Sequence, residues 1–325
     1  MKTLIKNIII IGVLLTPIYL IGQFFPINKD SLNHATVKVR VVDESEQPLQ
    51  NVLADYYSLS DDDSNPGLTD TKGMYSICMK HIYYSISGNF KKPGYYETRG
   101  QLWHWNKWGG VPPADTNFVV VLKRIIDPVP MKIIQRHNKT RVPEGAVFPR
   151  LDEPIGYDLE VGDWVFPDGK GKISDVFLTA TGFYNKQTDS SIAVSVEFAG
   201  EHNGIQSFYY PKAKTSTPLR SELPPPVIAP ESGYTKTLEL YRHHKPNEYY
   251  AISSDDENRR WLFRIRTEVD ENGKIVSANY GWTTEDIDLS ASKGNLRMYL
   301  FYYYNPDPKS RSLEPKEIAD RQNKN

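Results

Sequence analysis

The sequence predicts an all-β chain: an N-terminal membrane helix, then a transthyretin-like β-sandwich fold, then a second β-rich domain whose topology it leaves unassigned. Three observations carry this. Val37, Val39 and Val41 alternate with Lys38 and Arg40, and Ile192, Val194 and Val196 alternate within Ser191 to Phe198, the period of a half-buried strand. Tyrosine, valine and isoleucine are plentiful while alanine is scarce, which suits a pleated surface. Strand signals recur every eight to fifteen residues with no helical periodicity between them.

The first element is apolar. Lys2 and Lys6 precede a run from Ile8 to Phe25 without a charged residue. As a helix, eighteen residues at about 1.5 Å each span about 27 Å, close to a bilayer's hydrocarbon thickness. Lysines before the run place the N-terminus in the cytoplasm and everything from Pro26 onward outside it. Residues 18 to 26 offer a poor small-residue cleavage site, which favours a retained anchor (1–26) over a cleaved signal peptide. The expectation is a chain anchored in the membrane and facing the periplasm or exterior, or else secreted after cleavage. Residues 27–35 read as a polar stalk. Cys78 is the only cysteine, so no internal disulfide forms, and it reads as a small core or half-buried residue.

Domain one covers 36–126. After the strand at Val37 to Val42, Asp43-Glu-Ser-Glu-Gln-Pro48 turns the chain into Val52 to Tyr57. Asp61-Asp-Asp-Ser-Asn65 is a loop, Lys72-Gly73 a turn before Met74 to Met79, and Tyr83 to Ser87 a further strand. Lys91-Lys-Pro-Gly94 turns toward Tyr95 and Tyr96, and Phe118 to Lys123 closes the unit. In Asp70-x-Lys-Gly73-x-Tyr75-x-Ile77, Gly73 suits a positive φ, and Tyr75 and Ile77 would share the core face. This order of strands and turns, ending in Lys92-Pro-Gly-Tyr95, resembles the carboxypeptidase regulatory-like domain, a transthyretin-like β-sandwich. The resemblance covers about residues 36–125 and implies a module that supports, positions or binds and does no chemistry. The insertion Trp103 to Ala114 departs from the family's pattern.

Asp127-Pro-Val-Pro130 marks the boundary to domain two, 127–305. Its expected strands are Tyr157 to Val161, Gly171 to Leu178, Ser191 to Phe198, Trp261 to Val269, Lys274 to Tyr280 and Leu296 to Tyr304. Asp270-Glu-Asn-Gly273 is a hairpin signal. Pro211 to Ser232, with six prolines, reads as an extended surface excursion, and 306–325 as a polar, frayed tail. This domain resembles C-terminal parts of uncharacterised bacterial envelope proteins, a likeness that brings no catalytic residues.

Composition excludes some functions. With Lys+Arg at 39 and Asp+Glu at 40 the formal charge is −1, so no basic field awaits nucleic acid. The acidic loop lacks a calcium loop's glycine and terminal glutamate, because Pro66 and Lys72 stand there, and it reads as solvated. Asp255-Asp-Glu-Asn258 reads likewise. His243 and His244 would point to opposite faces of a strand, the wrong spacing for one metal. No nucleophile elbow, phosphate loop or dinucleotide fingerprint is present, so neither cofactor, metal nor catalytic residue is expected. One cluster stands out: Trp103, Trp105 and Trp108 put three indoles into six residues. They suit stacking on a sugar or an envelope protein, or a loop folded back against the body. The expected function is non-catalytic scaffolding or binding, with the membrane and a glycan or envelope protein as partners. The alternative is an accessory or catalytic unit acting on envelope or extracellular polysaccharide.

Overall fold

A computed structural model describes residues 35–58, 66–79, 85–104, 116–134, 145–210, 219–292 and 294–322. The expected membrane segment, most of the stalk and the acidic loop Asp61–Asn65 lie outside the described residues. Among the described residues no helix is long and apolar enough to cross a membrane. The fold they make is almost wholly β.

The first body is a two-sheet sandwich. In one sheet β1 (Ala35–Val42) lies between antiparallel β4 (Met74–Met79) and parallel β7 (Thr116–Val121). The other runs β15 (Arg220–Ser221), β6 (Thr98–His104), β5 (Ser85–Lys91), β2 (Leu53–Ser58), β3 (Gly67–Leu68). Val37, Val39 and Val41 are fully buried against Val52, Ala54, Tyr56, Ile86 and Phe90, as the alternation of β1 requires. Tyr75 is half-buried at the margin of this core, and Cys78 sits on β4.

The turn before β4 explains the Asp70–Gly73 signal. Asp70 Oδ1 accepts the N–H groups of Lys72 and Met74, both at 2.8 Å, and Gly73 adopts φ +72°. A Cβ at Gly73 would lie 2.4 Å from the Val41 carbonyl oxygen. Gly73→Ala is therefore expected to cost about 2 kcal/mol, from strained φ plus the clash. Urea denaturation of the variant checks this.

The second body has three antiparallel sheets. The largest runs β11 (Asp163–Trp164), β10 (Pro154–Asp158), β12 (Val176–Lys186), β13 (Asp189–Phe198), β16 (Thr237–His244), β17 (Ile252–Ser253). A second runs β14 (Gly204–Tyr209), β18 (Arg259–Val269), β19 (Ile275–Thr283), β22 (Tyr302–Asn305), β8 (Lys132–Ile134). A small one joins β20 (Asp288–Ser292), β21 (Asn295–Tyr299) and β9 (Ala146–Val147). The hairpin at Asp270–Gly273 forms as expected, with Asp270 N donating to Lys274 O at 2.8 Å. The strand expected over Leu296 to Tyr304 is split between two sheets at Leu300 and Phe301, where the Phe301 carbonyl is taken by Thr284. The strand expected from Gly171 starts only at Val176, because Lys172 and Ile173 donate their N–H groups to Asp158 instead of to a neighbour strand.

Two expectations are overturned. The tail from Pro306 is not frayed over its described part: Leu313, Glu314, Ile318 and Ala319 are buried, and α1 (Lys316–Gln322) packs there. The proline-rich stretch is not merely a surface excursion either. Its residues 211–218 lie outside the described ones, but Leu223, Val227 and Ala229 are buried. Both segments cover the second face of the five-stranded sheet, meeting Leu262, Ala278, Tyr280, Trp282 and Tyr303 and also Tyr96 of the first body. Burial on both faces explains the unbroken apolar run Trp261-Leu-Phe263. It also puts the rings of Tyr302 to Tyr304 on both faces: Tyr302 and Tyr304 in the inter-sheet core, and Tyr303 stacked on Trp282 with centroids 4.8 Å apart.

Glu314 fastens this shared layer. Fully buried, its carboxylate accepts Tyr96 OH at 3.0 Å and the N–H groups of Ile126 at 3.0 Å and Asp127 at 2.7 Å. Nearby, Lys123 Nζ donates to the carbonyls of Pro224 and Pro225, and burial pulls its pKa down to about 8.

Candidate functional site

Trp103 lies on β6, paired with Ile86 of β5, whereas Trp105 and Trp108 lie outside the described residues. The strongest exposed aromatic surface of the described residues is elsewhere, on the outer face of the six-stranded sheet. Period-two alternation sends Leu178, Ile192, Val194 and Leu240 inward, so their neighbours in β12, β13 and β16 face solvent.

Strand register assembles this face in rows. Phe183, Ser191, His243 and Ile252 form one, and Thr181, Ala193 and Tyr241 the next. Tyr241 and His243 stack, with centroids 5.3 Å apart and planes within 15°. Ser191 Oγ lies 2.8 Å from His243 Nδ1, and Ser195 Oγ donates to Glu239 at 2.7 Å. At the β16–β17 turn Tyr249 and Tyr250 are 87% and 77% exposed and meet edge to face. Large rings left in water beside small hydroxyl residues are the make-up of a recognition surface rather than a core.

The Ser191–His243 contact is a cross-strand pair and not a catalytic dyad. Ser191 sits in extended strand, without the turn that would aim backbone N–H donors at an oxyanion. His244 points away from His243, as expected from the strand, and meets the Glu248 carbonyl at 3.1 Å. Among the described residues no group of three His, Cys, Asp or Glu side chains could hold a metal.

The densest charge cluster serves the fold. At the bulge between Ile265 and Glu268, Arg266 takes φ +52° and aims its guanidinium at three carboxylates. It donates to Asp175 at 2.9 and 3.0 Å, to Asp158 at 3.0 Å and to Glu160 at 2.5 Å. Burial would raise Asp158, but the N–H groups of Lys172, Ile173 and Val161 together with Arg266 hold it below the usual carboxylate range. Glu160 is held low by its bond to Lys132 and then by Arg266, whereas burial pushes Asp175 up. With Nε and both terminal nitrogens committed, the guanidinium offers a ligand no free edge. The Asp255–Asn258 loop, expected to be solvated, is tied down in part: Asp256 N donates to Asp286, which also accepts Arg259 and, at 2.6 Å, Trp261 Nε1.

Sequence reasoning missed this aromatic face. Phe183, Tyr241, Tyr249 and Tyr250 are scattered over some seventy residues, and only strand register brings Phe183 and Tyr241 to adjacent rows.

No protein-family model matches the chain, and no curated protein does. Among solved structures it is similar to a 3-chlorocatechol 1,2-dioxygenase from Rhodococcus opacus 1CP, at 14% identity and a TM-score of 0.25, over 30% of this chain and 62% of that one. It is similar to a streptococcal ancillary pilin at 16% identity and a TM-score of 0.20, over 53% and 60%. A mutant of the shaft pilin spaA from Lactobacillus rhamnosus GG matches at 10% identity and a TM-score of 0.20, over 87% and 96%. The chain spans about three fifths of the first two structures, and their activities and assemblies are theirs alone.

Proposed function

We propose that the chain is a membrane-tethered, extracytoplasmic protein that scaffolds or binds without catalysis, its first body a carboxypeptidase regulatory-like sandwich. The observation that carries this reading is the apolar layer shared by the two bodies and fastened by Glu314. Bodies joined through a common core and a buried carboxylate keep a fixed mutual orientation, which suits a spacer that holds a binding surface at a set distance.

Strand ends support the tether. Ala35 pairs with Met79, Ser58 with Ile86 and Ser85 with His104, so β1 opens at the end of the sandwich where β2, β4 and β6 finish. The second body attaches at the other end, through Tyr96, Lys123 and β15. Trp103 lies near the end of β6, and with Trp105 and Trp108, which come next in the sequence, it is assigned a second contact surface.

Protease treatment of intact cells, followed by detection of the chain in the membrane fraction, tests the placement. A glycan array with wild type, Tyr241→Ala and Trp105→Ala tests the binding. The expected result is a tenfold or larger loss of signal in at least one variant, about 1.4 kcal/mol. Equal signals from all three would remove glycan binding. Polysaccharide hydrolysis abolished by one carboxylate substitution would replace the non-catalytic reading.

A further inference from the structure

We infer that Tyr210, Arg220 and Arg260, at the junction of the two bodies, form a binding site for an oxyanion group. Arg220 lies on β15, the short strand that the second region contributes to the first body's sheet, and Arg260 lies on β18. Their guanidiniums stand 4.4 and 5.0 Å from the centroid of the same Tyr210 ring. Register then adds a third cation, because Arg220 pairs directly with Arg99 of β6. Like charges directly opposite across an antiparallel pair are destabilising, so an arrangement of this kind calls for counter-charge.

The protein supplies too little of it. Glu222 binds Arg99 at 2.7 Å. Among the described residues no carboxylate lies within 4.0 Å of Arg220 or Arg260. Arg260 is buried and donates to three neutral carbonyls, those of Thr284, Glu257 and Arg259. Among the described residues the Arg220 side chain has a single, long hydrogen-bond contact, 3.5 Å to Asn258 Oδ1, and its buried Nε has no acceptor. A buried, charged donor without a partner is costly, and in a native fold it points to an acceptor supplied from outside. Among the described residues, three guanidiniums stand here with one paired carboxylate, that of Glu222. The fork of Arg220 matches the paired oxygens of a sulfate, phosphate or carboxylate.

This site stands independently of the aromatic face and of the tether. The test is calorimetric titration of the full chain in non-ionic detergent with inorganic sulfate and, in a separate arm, with a sulfated disaccharide, at constant ionic strength. The expected result is saturable binding in at least one arm, with chloride giving none. Arg220→Gln should weaken it at least tenfold while melting no lower than wild type, since relief of the uncompensated charge offsets the lost stacking on Tyr210. Arg220→Lys, which keeps the charge but not the fork, should fall between. Saturation by neither probe, or unchanged affinity in Arg220→Gln, overturns the site.

Discussion

Glu314→Ala is expected to destabilise the protein by about 3 kcal/mol or more, because three donors lose their acceptor at once in a buried place. Tyr96 OH and the N–H groups of Ile126 and Asp127 would lose the carboxylate that accepts all three. Glu314→Gln keeps the volume and one carbonyl oxygen, so its loss should be smaller. The effect should also be localised. Hydrogen exchange at Ile126 and Asp127 should rise in the alanine variant well above the rise at β1 or β13, which carry the other two cores. Uniform acceleration through both bodies, or a change under 1 kcal/mol in guanidinium denaturation, would contradict the role given to Glu314.

The second large effect is expected at Arg266. Its removal leaves Asp158, Asp175 and Glu160 facing one another, with Lys132 on Glu160 the remaining cation of the cluster. Breaking a buried pair by deleting one partner costs about 3–5 kcal/mol, and that range is expected for Arg266→Gln at pH 7. The loss should shrink on acidification. In the wild type, Asp158 and Glu160 titrate below their unfolded values. Their stabilisation is therefore complete above the ordinary carboxylate range and lost as pH falls through the folded values. Asp175 is raised, so its contribution has the opposite sign and favours the fold as pH falls. Without Arg266 all three carboxyls rise, and their protonation on acidification relieves the repulsion. Denaturation at pH 7 and pH 5 should show a smaller gap from wild type at the lower pH. Arg266→Gly separates charge from backbone: glycine accepts φ +52° without strain yet lacks the guanidinium, so a loss as large as that of the glutamine variant assigns the effect to charge.

Much of the first body was legible in the sequence because its signals are local. The valines of β1 alternate, Asp70 and Gly73 punctuate a turn, and each of these acts within a few residues. The tail was misread because Leu313, Ile318 and Ala319 sit among charged residues with too few apolar neighbours to show a period. Their burial depends on a sheet face that exists only after β18, β19 and β22 have paired. The same holds for Leu223, Val227 and Ala229, where proline composition spoke for an extended path but not for what that path would cover. The aromatic face and the Arg220–Arg260 pair were illegible for a related reason. Phe183 and Tyr241 are brought together by pairing across β13, and a guanidinium's lack of a carboxylate depends on the surroundings of both partners.

The insertion of β15 into the first body's sheet bears on how the chain matures. That edge is completed by Arg220 and Ser221, more than a hundred residues after β6, and the apolar layer between the bodies waits for Leu313 to Ala319. A polypeptide emerging amino end first therefore leaves Tyr280, Trp282 and Tyr303 only partly covered until Leu313 to Ala319 have been released. During that interval the unfinished chain is at its stickiest, and premature termination would leave a product prone to self-association rather than a shortened working protein.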